Sequence, residues 1–243
     1  LFCRSRLAAN ITERYTCGKA AAECYYGKEV VEKGNYDFIP NAIEVDRFLY
    51  NPQVRDKMRQ QYHLEGKHVI GHVGRFMAQK NHTFLMDVFT EYKRADKDAY
   101  LVLLGDGELM ETMKNKAKEL GIADFVLFVG NVGNANEWYQ AFDVFMLPSI
   151  WEGLPVVGVE AQAADLPCIF SDNVTKEIGL SDKASFLSLK ADMGSWVSEI
   201  YQKMQMTQRV NQEALITENH YNIEKEAVLL QERYLKLYGE NTL

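Results

Sequence analysis

Short apolar runs alternate with stretches of helical pattern from His68 to about residue 170, and this alternation restricts the fold more than any other feature. Because such alternation favours a parallel sheet with right-handed crossovers, the sequence predicts the α/β class: a doubly wound, Rossmann-like parallel sheet. Strands are predicted at His68–Val73, Ala99–Leu104, Phe125–Val129, Val144–Leu147 and Pro167–Phe170. Helices are predicted between them at Asn81–Arg94, Glu108–Leu120, Asn136–Phe142 and Pro155–Ala164.

The first forty residues differ from this pattern. They predict strands at Glu13–Cys17 and Tyr36–Ile39, with a helix over Lys19–Tyr26 that Gly27 ends. One and a half strand–helix units are too few for an independent core. Pro40-Asn41-Ala42 then forms a junction into the main domain, and Ile223–Tyr238 is predicted to be a long amphipathic helix.

Composition limits the classes of function. The 243 residues are 47% hydrophobic, enough for one large domain or for one domain with an appendage. A net charge of −7 argues against broad electrostatic binding to nucleic acid, so no nucleic-acid partner is expected and any anion site must be local.

The cysteines and the apolar stretches indicate the compartment. Four cysteines form no Cys-x-x-Cys pair and no cluster with histidine, which predicts neither a zinc site nor a disulfide framework, and no metal ligands are assigned. The sequence contains no apolar stretch of about 18 residues and no secretory pattern at its start, so we expect a cytoplasmic protein. The start at Leu1 rather than at a methionine suggests a fragment.

The segment from Ser149 to Glu160 carries the main functional signal. It follows an apolar strand and places Glu152 and Glu160 on either side of a Gly-Leu-Pro turn, with Pro155 suited to be the first helical residue. Backbone N–H groups of Gly153 and Leu154 would lie at a helix N-terminus, which attracts phosphate, and the two carboxylates could bind hydroxyls. Alternatively, Glu152 is only a partner of the helix dipole and Glu160 lies on a solvated face.

A second segment, Gly74 to His82, has two cations five positions apart after a predicted strand. Lys80 lies just before a helix start, where a cation opposes the helix dipole unless an anion binds there. Arg75 and Lys80 are therefore candidates to neutralise a diphosphate, although they could also be two surface cations on a loop.

Three other features are weaker. Gly105 and Gly107 at a strand end suit close approach to a ligand but also a tight turn. Asp96-Lys97-Asp98 has the spacing of a metal-diphosphate motif, yet it falls at the wrong end of the sheet and is interpreted as a solvated turn. His72 is either a packed histidine or a catalytic one.

These segments together resemble the donor-binding domain of a family 4 glycosyltransferase with the GT-B fold. The resemblance lies in Gly74-Arg75 with Lys80, Gly105-Asp106-Gly107, Pro148-Ser149, and Glu152-Gly153-Leu154-Pro155 with Glu160, and it covers about residues 37–177. Val73-Gly74-Arg75-Phe76, Gln79-Lys80-Asn81-His82 and Glu160-Ala161-Gln162 are most similar to bacterial enzymes that build capsular and extracellular polysaccharides.

The resemblance implies a retaining transferase that moves a sugar from a nucleotide-sugar, with a UDP-sugar as co-substrate and no tightly bound cofactor. It implies that Arg75 and Lys80 bind the donor diphosphate and stabilise the leaving group, and that Glu152 contacts the transferred sugar. Glu160 would bind the ribose, the Gly153-Leu154 backbone would approach sugar and phosphate, and Asn131 would lie near the base. Gly74 and Gly105 complete the expected donor site, whose catalytic residues would be Arg75, Lys80 and Glu152.

The GT-B fold has two Rossmann-like domains, and the resemblance implies that this chain holds one. We expect residues 1–38 to be the trailing segment of a missing N-terminal acceptor domain with its linker, residues 39–222 the donor-binding domain and residues 223–243 a C-terminal helix. The partners would be a nucleotide-sugar and, through the missing domain, a sugar or lipid-linked saccharide acceptor, with peripheral membrane association of the full-length protein. A non-catalytic nucleotide-sugar binding module and a sugar-nucleotide epimerase of the same architecture are the alternatives.

Overall fold

The computed structural model describes residue 11 and residues 13–240, and it confirms a doubly wound α/β fold. The main sheet contains six parallel strands, and a separate two-stranded parallel sheet lies near the N-terminus. The strands are β1 (Tyr15–Thr16), β2 (Asp37–Phe38), β3 (His68–Val73), β4 (Ala99–Leu104), β5 (Val126–Gly130), β6 (Val144–Leu147), β7 (Cys168–Ser171) and β8 (Ala184–Leu187).

Ten α-helices lie in the described residues. They are α1 (Lys19–Tyr26), α2 (Lys28–Glu32), α3 (Pro52–Gln61), α4 (His82–Ala95), α5 (Met110–Glu119), α6 (Ala135–Ala141), α7 (Val156–Ala163), α8 (Met193–Met204), α9 (Glu213–Glu218) and α10 (Ile223–Glu240). None of them is both long and apolar enough to cross a membrane.

The strand order of the main sheet is β5-β4-β3-β6-β7-β8. The chain builds outward from β3 in one direction and then returns to begin again at β6 on the other side. This reversal leaves a crevice beyond the carboxyl ends of β3 and β6, where ligands bind in open α/β sheets. All the loops predicted to hold a ligand leave the sheet at this edge.

The core forms two clusters, one on each face of the main sheet. Strand β6 shows the division, because Val144 and Met146 belong to one cluster whereas Phe145 and Leu147 belong to the other. Alternating side chains of a strand point to opposite faces, so a strand covered by helices on both sides is apolar throughout. All four residues of β6 are fully buried, as the sequence pattern predicted.

Three elements of the main domain, α3, α8 and β8, were not predicted from the sequence because they lack a continuous apolar run. Helix α3 is rich in charged and amide side chains; Asn51 begins it by accepting hydrogen bonds from the N–H groups of Gln53 (3.0 Å) and Val54 (3.2 Å). Helix α8 begins at an Asp192 cap, and β8 is a half-buried edge strand of four residues. Short helices α2 and α9 were also not predicted.

Several predicted boundaries were wrong by one or two residues. Strands β5 and β7 begin one residue later than expected, because Phe125 ends a 3-10 turn and Pro167 lies before the ladder. Helix α7 begins at Val156, and Pro155 is its extended N-cap (φ −76°, ψ 109°) rather than its first helical residue. Strands β1 and β2 pair only through Tyr15–Asp37 and Thr16–Phe38, so both are shorter than predicted.

Candidate functional site

Loops from neighbouring strands form a cleft of about 340 Å³ at the side of the sheet where the parallel strands end, called here the carboxyl edge; the amino edge is the side where they begin. Gly74 and Arg75 follow β3, Gly105 follows β4, and Asn131 follows β5; all four line this cleft, as does Ala135 at the start of α6. Four of the predicted site residues are therefore brought together. The other predicted residues lie outside its lining, and most of them belong to the loop after β6.

Position 105 requires glycine because two of these loops lie in close contact there. Its φ is +127°, and a Cβ atom there would lie 2.2 Å from the carbonyl oxygen of Gly74. The N–H of Gly105 donates to the carbonyl of Gly130 (2.8 Å), so three strand ends are held together. The glycine permits close approach of the protein's own backbone, which the sequence alone could not distinguish from approach of a ligand.

Lys80 and Glu152 form a nearly buried ion pair. Lys80 Nζ lies 2.5 Å from Glu152 Oε1, and the two side chains are 15% and 10% exposed. Ser149 Oγ also donates to Glu152 Oε1 (3.1 Å). The stem of Lys80 runs past Gly74, because a Cβ atom at Gly74 would lie 3.1 Å from Lys80 Cδ. Lys80 therefore connects the β3 loop of the cleft with the loop after β6.

Hydrogen bonds hold these two loops against each other. The carbonyl of Gln79 accepts from the N–H of Ile150 (2.8 Å), and Gln79 Nε2 donates to the carbonyl of Trp151 (3.0 Å). Asn81, in a left-handed conformation at φ 56°, donates to the carbonyl of Pro148 (3.2 Å). Hydrogen bonds from the residues on both sides of Lys80 thus position the Lys80–Glu152 pair.

Arg75 extends into solvent at the cleft. Its side chain is 71% exposed and lies 3.5 Å from Glu108, which is itself 58% exposed. A surface pair of this kind contributes little, so the guanidinium can turn to an anion at small cost.

Glu160 lies on the second turn of α7 and is hydrogen-bonded within the protein. Tyr139 Oη donates to Glu160 Oε2 at 2.7 Å. Burial raises the pKa of the Glu160 carboxyl, whereas the Tyr139 hydrogen bond and the charge of Arg47 lower it. Gly153 is exposed and Leu154 half-buried in the turn before this helix, near its N-terminus.

His72 is fully buried beneath the β3 loop. Its Nδ1 donates to the carbonyl of Met146 (2.8 Å), and burial lowers the pKa of the ring to about 4, so it is neutral at pH 7. Its ring meets His82 edge-on (4.7 Å between centroids), and His82 stacks on Phe76 (4.1 Å). This histidine is packed in the core below the site rather than exposed in the cleft.

The Asp96-Lys97-Asp98 segment lies at the opposite, amino edge of the sheet, as its position in the sequence indicated. Asp96 accepts from the Tyr92 hydroxyl (2.8 Å) and lies 2.6 Å from His68 Nδ1. Asp96 also accepts from the N–H of Asp98 (3.0 Å), which forms a local turn.

Sequence reasoning missed Tyr139 and the contacts of Ser149 and His82. Tyr139 is 21 positions from Glu160, and a lone tyrosine inside a helical pattern is ordinarily a core residue. A carboxylate in an apolar helix was the available signal, because a buried acid needs a donor. That signal pointed to ribose hydroxyls as the donors and did not identify Tyr139.

Comparison with known proteins identifies the family. The sequence profile of "Glycosyl transferases group 1" matches residues 54–178, which include every predicted site residue. The chain is also 36% identical over 203 residues to the putative glycosyltransferase EpsF of Bacillus subtilis, covering 82% of this chain and 53% of EpsF. The chain belongs to the glycosyl transferases group 1 family.

A second relative and a solved structure extend the comparison. An Escherichia coli protein named UDP-Gal:alpha-D-GlcNAc-diphosphoundecaprenol alpha-1,3-galactosyltransferase is 31% identical over 170 residues, which cover 68% of this chain and 44% of that protein. The crystal structure of Anabaena HepE in complex with UDP and glucose has a TM-score of 0.77 at 15% identity, covering 97% of this chain and 66% of HepE. At that identity the likeness establishes the fold, that of the GT-B glycosyltransferases. The chain spans about half the length of the curated relatives it matches.

Proposed function

We propose that this chain forms the donor-binding half of a retaining glycosyltransferase that acts in polysaccharide biosynthesis. The observation that carries the proposal is the Lys80–Glu152 pair (2.5 Å), which lies beside Gly74 where the strand order of the sheet reverses. In a member of the group 1 family, that location is where a nucleotide-sugar would place its diphosphate and sugar.

Charge and hydrogen-bonding capacity support the assignment of the diphosphate to Arg75 and Lys80. A lysine ammonium has three donors, and Glu152 occupies one of them, so two remain for phosphate oxygens. Arg75 supplies a planar guanidinium at the open side of the cleft. Both cations would stabilise negative charge on the departing nucleotide, which is where charge develops in the transfer.

The remaining predicted residues would each contact a different part of the donor. Glu152 would contact the transferred sugar, aided by the backbone of Gly153 and Leu154 at the N-terminus of α7. Glu160 would bind the ribose, and Asn131 would lie near the base. Gly74 and Gly105 line the cleft, where Gly105 lets the loops after β3 and β4 approach each other and Gly74 leaves room for the stem of Lys80.

A UDP-sugar is the donor we propose. HepE was crystallised with UDP and glucose, and the name of the Escherichia coli relative specifies a UDP-sugar and a lipid diphosphate acceptor. The acceptor here would be a sugar or a lipid-linked saccharide, bound by residues outside these 243, which fits a chain that spans about half of its relatives. Peripheral membrane association of the full-length protein would bring it to a lipid-linked acceptor, and we place it in the cytoplasm.

Calorimetric titration of this chain with UDP tests the donor assignment. We expect saturable binding, and Lys80→Met should weaken it by roughly 10- to 100-fold, the range for losing a hydrogen bond to a charged group. Lys116→Met is the matched control, because Lys116 on α5 forms a partly exposed ion pair with Asp87 of α4 (2.7 Å). Absence of binding by the unsubstituted chain to any nucleoside diphosphate would refute the donor-binding assignment.

Transfer is tested on the full-length protein with UDP-sugars, with and without saccharide acceptors. We expect sugar transfer that requires the acceptor and retains the anomeric configuration. Conversion of the donor without an acceptor would instead indicate an epimerase, and donor binding without either reaction would indicate a binding module.

A further inference from the structure

We infer that Tyr139 is a positioning residue, which holds the Glu160 carboxylate so that one oxygen faces the ribose hydroxyls of the donor and the site selects ribonucleotides. This inference rests on the proposed function, because it assumes that a nucleoside diphosphate occupies the cleft. It concerns a residue on a different helix from Glu160.

The location of Tyr139 connects Glu160 with the cleft. Ala135 lines the cleft at the start of α6, and Tyr139 follows it by four positions, hence on the same face one turn further along. Its ring is fully buried and packs against the rings of Phe48, Phe142 and Phe145. The hydroxyl at the end of this fixed ring therefore has little freedom.

The hydroxyl has one proton, and the geometry assigns it to Glu160. Tyr139 Oη lies 2.7 Å from Glu160 Oε2 and 3.3 Å from the carbonyl of Val157. The shorter distance and the charge of the acceptor both favour the carboxylate. Oε2 is thus occupied, and Oε1 accepts no hydrogen bond from the described residues, which leaves it for a ligand hydroxyl.

The directions in which the two pKa values are shifted also support Tyr139 as the donor and Glu160 as the acceptor. Burial raises the pKa of the Tyr139 phenol well above its usual range, so the phenol keeps its proton and stays a donor. Burial also raises the pKa of Glu160, and the Tyr139 hydrogen bond opposes this rise, as does the positive charge of Arg47. Without the hydroxyl, the carboxyl would protonate at a higher pH and would accept hydrogen bonds more weakly.

The test compares UDP with 2′,3′-dideoxy-UDP, which lacks both ribose hydroxyls. The unsubstituted chain should bind UDP more tightly than dideoxy-UDP. Tyr139→Phe should weaken the binding of UDP by about tenfold and leave the binding of dideoxy-UDP nearly unchanged. Phenylalanine keeps the packed ring, and thermal unfolding checks that the variant is folded. Tyr92→Phe is the matched control, because Tyr92 is also buried and donates to a carboxylate, Asp96 (2.8 Å), at the far edge of the sheet.

The pH dependence of binding gives a second measurement that a merely structural role would not change. Protonation of Glu160 removes its charge, so UDP affinity should fall as pH decreases through the pKa of Glu160, and in Tyr139→Phe this fall should begin at a higher pH. The dideoxy compound shares the titration of the diphosphate with UDP, so it should show only that common fall and no difference between the unsubstituted chain and Tyr139→Phe.

The outcomes separate the two proposals. If the unsubstituted chain binds no nucleoside diphosphate, the proposed function fails. If it binds UDP but does not distinguish it from the dideoxy compound, or if Tyr139→Phe keeps the discrimination and pH profile intact, the role of Tyr139 is overturned and donor binding stands.

Discussion

The amino and carboxyl edges of the main sheet use similar charged residues, but the charges are neutralised within the protein to different degrees. At the amino edge, Asp143 accepts from Arg55 (2.5 Å), from Arg59 (3.1 Å) and from the N–H of Val69 (2.8 Å). At the carboxyl edge, Arg75 is 71% exposed.

A second acid shows how complete the pairing at the amino edge is. Asp165 is 1% exposed and has a φ of 53°, and it accepts from Lys183 Nζ (2.7 Å), the N–H of Val210 (2.6 Å) and Gln212 Nε2 (2.7 Å). At the carboxyl edge, by contrast, Glu160 Oε1 accepts no hydrogen bond from the described residues, and two of the three donors of the Lys80 ammonium have no acceptor among them. The comparison indicates that the amino edge stabilises the fold, whereas the carboxyl edge keeps hydrogen-bonding capacity for a ligand.

Asp143→Ala should produce the largest loss of stability. The substitution leaves two partly buried guanidinium groups and one backbone N–H without their acceptor, so we expect the free energy of unfolding to fall by about 4 kcal/mol. Denaturant unfolding measures this. Asp56→Ala, an exposed acid on α3, should change it by less than about 0.5 kcal/mol. The folded fraction of Asp143→Ala should bind UDP normally, and a large loss of affinity there would contradict the division between the edges.

Gly105→Ala should be the main exception at the carboxyl edge, with a loss of about 3 kcal/mol. The alanine would have to keep φ near +127° and would place its Cβ 2.2 Å from the Gly74 carbonyl, so strain and overlap both act. Gly133→Ala is the control in the same region, because a Cβ atom there meets nothing within 4 Å. Equal unfolding curves for Gly105→Ala and Gly133→Ala would show that the contact between the two loops is not tight.

How far the sequence predicts these two edges depends on how local the signal is. Lys80 and Glu152 were recognised because each lies beside a strand end and a helix start, and their convergence followed from the parallel topology. The bonds from Arg55 and Arg59 to Asp143 join residues more than 80 positions apart, from a helix that the sequence did not predict. Their partners depend on packing that no local pattern specifies. Tyr139 was missed for the same reason.

The buried histidine pair should make stability depend on pH. The pKa of His82 is lowered to about 2, mainly by burial, against 6.5 for an ordinary histidine. Below about pH 6.5 the unfolded chain therefore binds a proton that the folded protein excludes, so stability falls as pH decreases. Between pH 7 and pH 5 this amounts to about 2 kcal/mol for His82.

His82→Phe isolates this contribution, because the new ring can still stack on Phe76. Its loss of unfolding free energy between pH 7 and pH 5 should be about 2 kcal/mol smaller than that of the unsubstituted chain. His63→Asn is the control at an exposed histidine whose φ of 56° suits asparagine, and its pH dependence should match that of the unsubstituted chain. Identical pH profiles for all three proteins would mean that His82 reaches water.

Arg75→Ala should change affinity for UDP without changing stability, and it is the smallest of these effects. Loss of one charge-assisted contact to the diphosphate should weaken binding about tenfold, or ~1.4 kcal/mol, whereas the exposed pair with Glu108 (3.5 Å) contributes almost nothing to unfolding. Arg94→Ala is matched in charge and exposure: Arg94 is 69% exposed and pairs with Glu91 (2.5 Å), but it lies in the last turn of α4, toward the amino edge. Titration calorimetry of both variants at two salt concentrations distinguishes a located site from general attraction. If Arg94→Ala weakens the binding of UDP as much as Arg75→Ala does, the affinity depends on the net charge of the chain rather than on a specific site. The two edges would then not differ in the way proposed.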